Sequence, residues 1–440
     1  MDEKKGSKEE IVITRGELVK VAFASVVGTT IEWYDFTVSA TAAAIVWPFV
    51  FFPQQDPAAA FLFSIVTYSV GFPIRPIGAI IFGHFGDKYG RKSVLIFTLL
   101  TMGIGTLGIG LVPPYATIGI WGAILVGIFR ILQGLSLGGE WGAVSTWITE
   151  FAAKSKYRAF WASWVQMGGP IGILSSNALF LYLTLSLTRS DFLNWGWRIP
   201  FYIGVIVVIV GAIIRYRLNE SPLFKMIITK RFTARVPVVE LFKNQWRTIV
   251  ILAISWWYIN TLIWTLTTFT QGYISRVNPS VPPYIGPLAG IMVSVGGIPG
   301  VLAGAFASDR IGRKIACLIG SSLAAVFSFP YILLISTGSL TLTFISQVIM
   351  AFIIHFGYAP LPAFFAEHFP TRYRASGTGF TYHIANPFSG AIAPIIAAYF
   401  TAIYGAINAA PYIGAIAFAY SITSVIATLF TRETMKKELE

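Results

Sequence analysis

The 440-residue sequence has little of what a soluble or disulfide-bonded protein needs. Charged residues make up 12% of the chain, apolar residues make up 55%, and the mean hydropathy is +0.70. This composition does not describe a water-facing surface. The single cysteine, Cys317, excludes a disulfide framework and a thiolate metal cluster. The four histidines lack zinc-like spacing, and no Walker loop, nucleophile elbow or dinucleotide fingerprint occurs in a usable context. We therefore expect no catalytic residue, metal or cofactor, and no enzyme activity.

The sequence consists mainly of long apolar runs. Twelve of them divide the chain, roughly 21–50, 60–83, 93–112, 117–148, 160–186, 199–214, 248–272, 286–308, 315–336, 340–366, 376–402 and 410–430. A helix needs about 20 residues to cross the hydrocarbon core at about 1.5 Å per residue, and nearly all of the runs are long enough. The short sixth run is extended by Trp195 and Trp197, which suit the membrane interface. The predicted fold class is all-α membrane, with twelve transmembrane helices.

Lysine and arginine lie almost entirely on one side of these helices. If the N-terminus is cytoplasmic, 27 of the 32 basic residues lie inside and three outside, and Arg75 and Arg130 remain within the membrane. The positive-inside rule then predicts a multi-pass protein of the cell membrane with both termini cytoplasmic. The net charge of +13 is thus a topology signal, and no nucleic-acid partner is expected. The hydrophilic residues 1–10 predict no cleaved signal peptide.

Two charged motifs recur after about half of the chain. The turn DKYGRK (87–92) returns as DRIGRK (309–314), 222 positions later. Glu150 and Arg158, which close one run and open the next, have counterparts in Glu367 and Arg374. A repeat of this kind is typical of transporters built from two similar halves.

The repeat predicts the domain organisation. We expect two pseudo-symmetric six-helix bundles, 1–216 and 248–440, joined by a basic cytoplasmic linker, 217–247. Apolar residues between the basic residues of the linker favour a short helix on the inner membrane surface. A solvated linker is the alternative.

The repeated charges predict a gate at the cytoplasmic helix ends. We expect each half to hold its helices together with its own charged cluster, which must break or rearrange when the inner face opens. The clusters would contain Asp87, Arg91, Glu150 and Arg158 in the first half, and Asp309, Arg313, Glu367 and Arg374 in the second. Ordinary positive-inside flanks are the alternative, but a matched set in both halves favours the gate.

Five ionisable residues lie within the apolar runs of the first half: Glu32, Asp35, Arg75, Arg130 and Glu140. A charge at the bilayer centre costs about 2.5–3.5 kcal/mol, so these residues must face one another or a cavity. Glu32 and Arg75 each lie 12 residues from the predicted inner boundary, about 18 Å at about 1.5 Å per residue, so they can meet. We predict that Glu32, Asp35 and Glu140 couple transport to protons, with Asp35 facing Arg75. A static set of salt bridges is the alternative.

Polar residues within the second-half helices are neutral or weakly basic. This asymmetry predicts a polar small-molecule site at the midplane between a charged half and a hydrogen-bonding half. The candidates for substrate binding are Arg75, Arg130, Tyr34, Gln166, Trp257, Tyr258, Asn260, Tyr382, His383 and Asn386.

Several strings in order along the chain carry a family resemblance: GTTIEWYDF (28–36), RPIGAIIFGHFGDKYGRK (75–92), RILQGLSLGGEWGA (130–143), WGWRIPF (195–201), ESPLF (220–224) and AEHFPTRYRASGTG (366–379). The sequence resembles the metabolite:proton symporter family of the major facilitator superfamily. The resemblance implies twelve helices in two bundles, alternating access, and uptake of small organic acids or zwitterions with protons.

The combined prediction is proton-coupled uptake of a small carboxylate-bearing metabolite by a monomer in the lipid bilayer. Protonation of an acid would release an arginine for the substrate. Transport of a zwitterionic or neutral solute is one alternative. A proton-driven exporter is another, which Ile173 disfavours because it replaces the last glycine of the antiporter signature G-P-x-x-G at Gly169-Pro170. A channel or membrane enzyme would need a selectivity filter, metal cluster or nucleophile cluster, and none occurs.

Overall fold

The computed structural model describes residues 14–89, 91–217, 237–437 and 439, and within these ranges every regular element is a helix. In the first half they are Arg15–Ile45, Trp47–Val50, Pro57–Ser69, Arg75–Tyr89, Arg91–Leu111, Tyr115–Ile118, Trp121–Leu137, Glu140–Phe151, Arg158–Ala162, Trp164–Ser186, Arg189–Asn194, Gly196–Arg198 and Ile199–Arg217. In the second half they are Pro237–Ser255, Trp257–Trp264, Thr265–Phe269, Thr270–Val277, Ile285–Ile311, Arg313–Ile335, Leu340–Tyr358, Leu361–His368, Thr371–Tyr373, Arg374–Ile384, Asn386–Ala391, Ile392–Tyr404 and Ala406–Leu429.

Nine helical segments of the described chain are long and apolar enough to cross a membrane. They are Trp121–Phe151, Arg158–Ser186, Gly196–Ile213, Glu240–Val277, Ile285–Ile311, Arg313–Ile335, Leu340–His368, Arg374–Tyr404 and Ala406–Leu429, called spans four to twelve below. Ahead of them lie span one (Arg15–Ile45), span two (Pro57–Ser69 with Arg75–Tyr89) and span three (Arg91–Leu111). This arrangement fits the predicted all-α membrane fold with twelve spans.

The helices pair in a pattern that repeats along the chain. Span one packs along span five, span two along span four and span three along span six. The same pairings return between spans seven and eleven, eight and ten, and nine and twelve. Contacts between the two sets run mainly through spans two and eleven, spans five and eight, and spans four and eleven. The site described below lies where these two sets meet.

The predicted cytoplasmic linker, 217–247, is described only in part. The helix Pro237–Ser255 runs through its last third and leads into span seven. The apolar residues 236–242, which favoured a short surface helix, fall mostly at the start of this helix, and residues 218–236 lie outside the described residues.

Glycines let spans two and four touch along their backbones. A Cβ atom on Gly134 would lie 2.0 Å from the carbonyl oxygen of Gly71. A Cβ atom on Gly138 would lie 2.2 Å from the carbonyl oxygen of Arg75. No side chain fits at either distance, and small residues are the usual means of such close packing in membranes. The contact fixes the backbone of Arg75 against the helix that carries Arg130.

Candidate functional site

A small cavity lies between the two sets of spans. Its lining combines one acid, one arginine, one amide and mostly aromatic rings: Glu32, Trp33, Phe36, Arg75, Leu137, Trp256, Ile259, Asn260, Ile263, Trp264, Tyr358 and Tyr382. Its volume is about 20 Å³, which is room for water rather than for a metabolite. The cavity must therefore widen before a metabolite can enter.

Arg75 lines this cavity and reaches across it to the second half. Its Nη1 donates to Oδ1 of Asn386 at 3.1 Å, and its Nε has no partner among the described residues. The guanidinium carbon lies 4.1 Å from the ring centre of Phe36 and 4.7 Å from that of Phe72. Arg75 is 5% exposed and forms no ion pair with a described carboxylate. It is thus a buried cation held by a neutral amide and aromatic faces.

Asp35 lies apart from the cavity lining, within the first half. One carboxylate oxygen accepts from the hydroxyl of Thr106, and the other accepts from Nε2 of Gln133 at 3.0 Å. The predicted contact between Asp35 and Arg75 is therefore wrong for this conformation. Glu32, on the same helix, does line the cavity beside Arg75, as expected from their equal depth. Glu140 is buried at the start of the helix Glu140–Phe151 and is not one of the lining residues.

Arg130 is fully buried behind the cavity. Its Nη1 donates to Oε1 of Gln133 at 2.7 Å and its Nε to the carbonyl oxygen of Tyr68 at 3.1 Å. Its guanidinium carbon lies 4.2 Å from the ring centre of Phe36 and 4.4 Å from that of Tyr68. Arg130 was predicted to contact substrate, but it is not one of the lining residues in this conformation. Among the described residues, Gln133 joins it to Asp35 by hydrogen bonds to both.

Three stacked aromatic rings close one wall of the cavity. The ring of Tyr382 lies between the indoles of Trp141 and Trp256, with centroid separations of 3.8 Å and 4.1 Å and interplanar angles of 13° and 10°. The hydroxyl of Tyr382 is 2.6 Å from that of Tyr358. Since Trp141 belongs to span four and Tyr382 to span eleven, this stack also joins the halves. Offset-stacked aromatic pairs contribute about 0.5–1.5 kcal/mol beyond area burial.

Two irregular turns sit beside the cavity on its second-half side. Thr265–Phe269 in span seven and Asn386–Ala391 in span eleven are π-helical. Such turns are frequent at functional sites because they release backbone groups and redirect side chains. Asn260 lies one turn before the first of them, and its amide donates to Ser389 in the second at 2.8 Å. The irregular backbone thus places Asn386 opposite Arg75.

Other predicted binding residues take different positions. The hydroxyl of Tyr34 donates to the carbonyl oxygen of Pro200 at 3.0 Å, within the first half. Trp257 packs on Phe388 and Tyr420, and its neighbour Trp256 lines the cavity instead. Tyr34 and Trp257 thus do not line the cavity in this conformation, whereas their neighbours Trp33 and Trp256 do, because one residue along a helix turns the side chain by about 100°. Their contact with substrate stays a prediction.

Three further candidates lie near the cavity without lining it. Gln166 accepts from the indole of Trp141 at 3.2 Å and donates to the carbonyl oxygen of Tyr358 at 3.4 Å. The hydroxyl of Tyr258 is packed toward Gly357, inside the second half. His383 is fully buried against Tyr382, and neither ring nitrogen has a partner among the described residues. Of the second-half candidates, the structure places Asn260 and Tyr382 in the cavity lining and Asn386 against Arg75.

The paired charges at the end that carries the C-terminus cross between the halves. Arg158 lies 3.0 Å from Glu367, and Arg374 lies 3.1 Å from Glu150. The carboxylate of Asp309 accepts from the backbone N–H groups of Ala159 and Phe160 at 3.0 Å and 2.8 Å, at the start of the helix Arg158–Ala162. We refer to these contacts as the basic-end network.

The prediction that each half holds its own charged cluster is therefore wrong in part. Arg313 does remain with its own half, 2.9 Å from Asp309 and 3.5 Å from Glu367. Glu150, Arg158, Glu367 and Arg374 exchange partners instead, so that each ion pair joins the two halves. The side chains of Asp87 and Arg91 lie outside the described residues.

The opposite end is also bridged. The guanidinium carbon of Arg276 lies 3.8 Å from the ring centre of Phe61, and its Nη2 donates to the carbonyl oxygen of Pro57 at 3.2 Å. Deeper inside, Gln271 donates to Asn177 at 3.1 Å. Both ends of the cavity are thus closed by contacts between the halves in this conformation.

Two residues that contact Asp35 had not been predicted. Gln133 lies three positions after Arg130 in the string Q-G-x-S-x-G-G-E, and that spacing puts both side chains on one helix face. The spacing was the available signal. Thr106 lies in an apolar run with many similar residues, and nothing in the sequence distinguishes it.

Comparisons with known proteins agree with this architecture. The family model of the Major Facilitator Superfamily matches residues 36–394. The chain is 37% identical to the inner membrane metabolite transport protein YhjE of Escherichia coli (strain K12), over 96% of this chain and 95% of that protein. It is 34% identical to the shikimate transporter of the same organism, over 86% and 87%, and 31% identical to its proline/betaine transporter, over 89% and 79%.

The fold is also that of a solved structure. The partially occluded inward-open form of the xylose transporter XylE from E. coli matches 96% of this chain and 99% of its own with a TM-score of 0.73, at 19% identity. At this identity the likeness concerns the fold alone. The named relatives are all transporters, so the chain is a multi-pass membrane transporter of small molecules and not an enzyme. The chain belongs to the major facilitator superfamily, with the metabolite, shikimate and proline/betaine transporters as its relatives.

Proposed function

We propose that this transporter imports a small carboxylate-bearing metabolite together with protons, by alternating access in the cell membrane. The observation that carries the proposal is the state of Arg75. Its guanidinium lines the central cavity, is almost completely buried, and has a neutral amide rather than a carboxylate as its hydrogen-bond partner. A buried cation whose hydrogen-bond partner is a neutral amide is only partly compensated, although Glu32 lines the same cavity, and a substrate carboxylate bound to the guanidinium would compensate it further.

The geometry of arginine suits this role. Its planar fork can donate two parallel hydrogen bonds to a carboxylate, and charge-assisted bonds are roughly twice as strong as neutral ones. Arg75 uses Nη1 toward Asn386, while its Nε has no described partner. A carboxylate in the widened cavity could accept from Nε together with Nη2, or from Nη1 together with Nη2 once it displaces Asn386.

Asp35 is the proposed proton carrier. It is fully buried with two donors to its carboxylate, and it is separate from the cavity that would hold the substrate. Glu32 within the cavity and Glu140 in span four are the secondary candidates. Two ligands at separate sites are coupled when each changes the affinity for the other, and the coupling is reciprocal.

The basic-end network is the proposed gate. Its ion pairs join the halves, so that they must separate when this end opens. We place both termini in the cytoplasm, which makes this end the inner one, and the predicted functional unit is a monomer.

A zwitterionic solute is the second candidate. The cavity contains Glu32 as well as Arg75, and its walls include Trp33, Trp256 and Trp264. Aromatic faces bind ligand cations with about 0.5–2 kcal/mol each. A solute with both a carboxylate and an ammonium group would fit such a lining, and the similarity to a proline/betaine transporter supports this candidate.

Uptake into proteoliposomes tests both candidates. Purified protein would be given labelled 2-oxoglutarate, shikimate, proline, glycine betaine or xylose, with the outside acidic or at the same pH as the inside. We expect accumulation of 2-oxoglutarate or shikimate only when the outside is acidic, whereas accumulation of proline or glycine betaine in their place would favour the zwitterionic candidate. Accumulation of xylose alone, or accumulation that ignores the pH gradient, would contradict the proposal.

A further inference from the structure

We propose that Gln133 is a positioning residue that transmits the protonation state of Asp35 to Arg130. The proposal rests on the proton coupling proposed above. It starts from a continuous set of contacts in the first half, in which the amide of Gln133 joins the carboxylate to the guanidinium. All three side chains are completely buried, so no bulk water competes for these hydrogen bonds.

The orientation of the Gln133 amide is fixed by its neighbours. A guanidinium can only donate and a carboxylate can only accept, so Oε1 must face Arg130 and Nε2 must face Asp35. The distances are 2.7 Å and 3.0 Å. The second Nε2 hydrogen faces the hydroxyl oxygen of Thr106 at 3.0 Å. Every polar atom of the amide therefore has a defined partner.

The hydroxyl of Thr106 provides two arrangements of the protons. It has one hydrogen and two acceptors within reach, a carboxylate oxygen of Asp35 and the carbonyl oxygen of Met102 at 2.9 Å. When Asp35 is charged, the hydroxyl donates to it. When that oxygen gains a proton, the new O–H donates to Thr106, and the threonine hydrogen turns to Met102. One proton is added, and every donor still has an acceptor without movement of a heavy atom.

Protonation of Asp35 changes the acceptor of the hydrogen bond that Gln133 donates. Its Nε2 then donates to a neutral carboxylic acid instead of a carboxylate, which is the weaker acceptor. Arg130 loses the nearby negative charge and keeps Gln133 and the carbonyl oxygen of Tyr68 as acceptors, and its Nη2 has no partner among the described residues. Protonation of Asp35 thus weakens the interactions that fix the side chain of Arg130.

The ring of Phe36 connects this change to the cavity. The guanidinium carbons of Arg130 and Arg75 lie 4.2 Å and 4.1 Å from its centre. A shift of Arg130 therefore alters the packing of the ring on which Arg75 rests. Asp35 thus affects the proposed substrate site through Gln133, Arg130 and Phe36, and we call this path the relay. It replaces the direct contact with Arg75 that the sequence had suggested.

The second half contains a matched residue for control experiments. Gln347 lies 214 positions after Gln133 and is also completely buried. Its Oε1 accepts from the hydroxyl of Tyr331 at 2.7 Å, and its Nε2 donates to the carbonyl oxygens of Leu266 and Ala289 at 3.2 Å. The side chain of Gln347 makes as many hydrogen bonds as that of Gln133, but none of them to a carboxylate or an arginine.

The experiment compares Gln133→Leu, Thr106→Val and Gln347→Leu in proteoliposomes. The probe is whichever of labelled shikimate, proline or glycine betaine the wild-type protein accumulates. We expect Gln133→Leu to lower the accumulation ratio driven by the pH gradient about tenfold or more, while counterflow exchange without a gradient persists. Thr106→Val, which replaces the hydroxyl with a methyl group, should displace the pH profile of exchange. Gln347→Leu should keep the pH dependence of the wild type.

The possible outcomes separate the relay from the proposed function. If the wild type ignores the pH gradient, proton coupling is wrong and the relay falls with it. If the wild type is coupled but Gln133→Leu and Thr106→Val keep its accumulation ratio and pH profile, the relay is wrong and the proposed function stands. Equal losses in Gln133→Leu and Gln347→Leu, with an unchanged profile in Thr106→Val, would indicate a packing role and would also overturn the relay.

Discussion

The substitution Glu367→Gln tests the proposed gate. Glu367 is completely buried, and its carboxylate accepts from Arg158 of the first half at 3.0 Å and from Thr434 at 2.5 Å. Glutamine keeps the shape and one acceptor but removes the charge that attracts Arg158. Because this ion pair joins the halves, its loss should favour conformations in which the basic end is open.

The size of the effect follows from the remaining contacts. Removing one partner of a buried ion pair can cost about 3–5 kcal/mol. Arg158, however, also donates to the carbonyl oxygens of Ala153 and Lys437 at 2.7 Å and 2.9 Å, and the amide still offers it an acceptor. We therefore expect the closed state to lose about 1–3 kcal/mol, which shifts the equilibrium about 5- to 150-fold. The contact between Arg313 and Glu367 lies within one half and should contribute little to the difference.

Thiol labelling would measure this shift. Leu137 lines the cavity, so a Leu137→Cys reporter in a Cys317→Ala background reports access to it. We expect Glu367→Gln to speed labelling by an impermeant reagent applied from the basic end, and to slow labelling from the other face. The control is Glu433→Gln, because Glu433 accepts from the backbone of Arg313 within the same half. Unchanged rates in Glu367→Gln, or equal changes in both variants, would refute the proposed gate.

Three further predictions concern coupling, substrate affinity and packing. Asp35→Asn should abolish accumulation driven by the pH gradient but leave counterflow exchange, since an amide resembles the protonated acid; continued uphill uptake would exclude Asp35 as the carrier. Arg75→Lys should raise the KM for a carboxylate substrate about tenfold because a point charge replaces the fork, while Arg198→Lys, which alters an arginine bound to backbone carbonyls, should leave it unchanged. Gly134→Ala should lower the Tm in a thermal shift assay through an overpacking cost of about 1–3 kcal/mol, whereas Gly127→Ala, whose added Cβ would meet its nearest atom at 3.9 Å, should be tolerated.

The fold could be predicted because membrane burial leaves a local record in the sequence. A run of about 20 apolar residues identifies a span without knowledge of its neighbours. Depth is also local, since it follows from the rise per residue. Counting from the inner boundary placed Glu32 and Arg75 at one level, and both line the cavity.

Rotation around the helix axis could not be predicted in the same way. Asp35 lies three residues after Glu32, which turns its side chain by about 60° relative to that of Glu32. That rotation is enough for Glu32 to line the cavity while Asp35 meets Thr106 in span three. Trp256 and Trp257 differ for the same reason. The hydropathy of the surrounding residues does not record which neighbouring helix a polar side chain will face.

The partners of the repeated charges could not be predicted either. An internal repeat indicates that two halves have similar structures, and it suggested that each half would satisfy its own charges. The same repeat is equally compatible with an exchange of partners across the pseudo-symmetry axis. Glu150 with Arg374, and Glu367 with Arg158, show that exchange. Only the arrangement of the halves distinguishes the two possibilities.

The contact between Arg75 and Asn386 explains how a closed site can still accept a substrate. The amide oxygen of Asn386 occupies one guanidinium donor at 3.1 Å, while its Nδ2 donates to the carbonyl oxygens of Tyr382 and His383 at 3.2 Å and 3.3 Å. A carboxylate that displaces Asn386 exchanges a charged-to-neutral hydrogen bond for a stronger charged pair. Asn386 still retains its two backbone acceptors after the exchange. We therefore expect the hydrogen bond between Arg75 and Asn386 to break when a carboxylate substrate binds. The ion pairs of the basic end should remain until the gate opens.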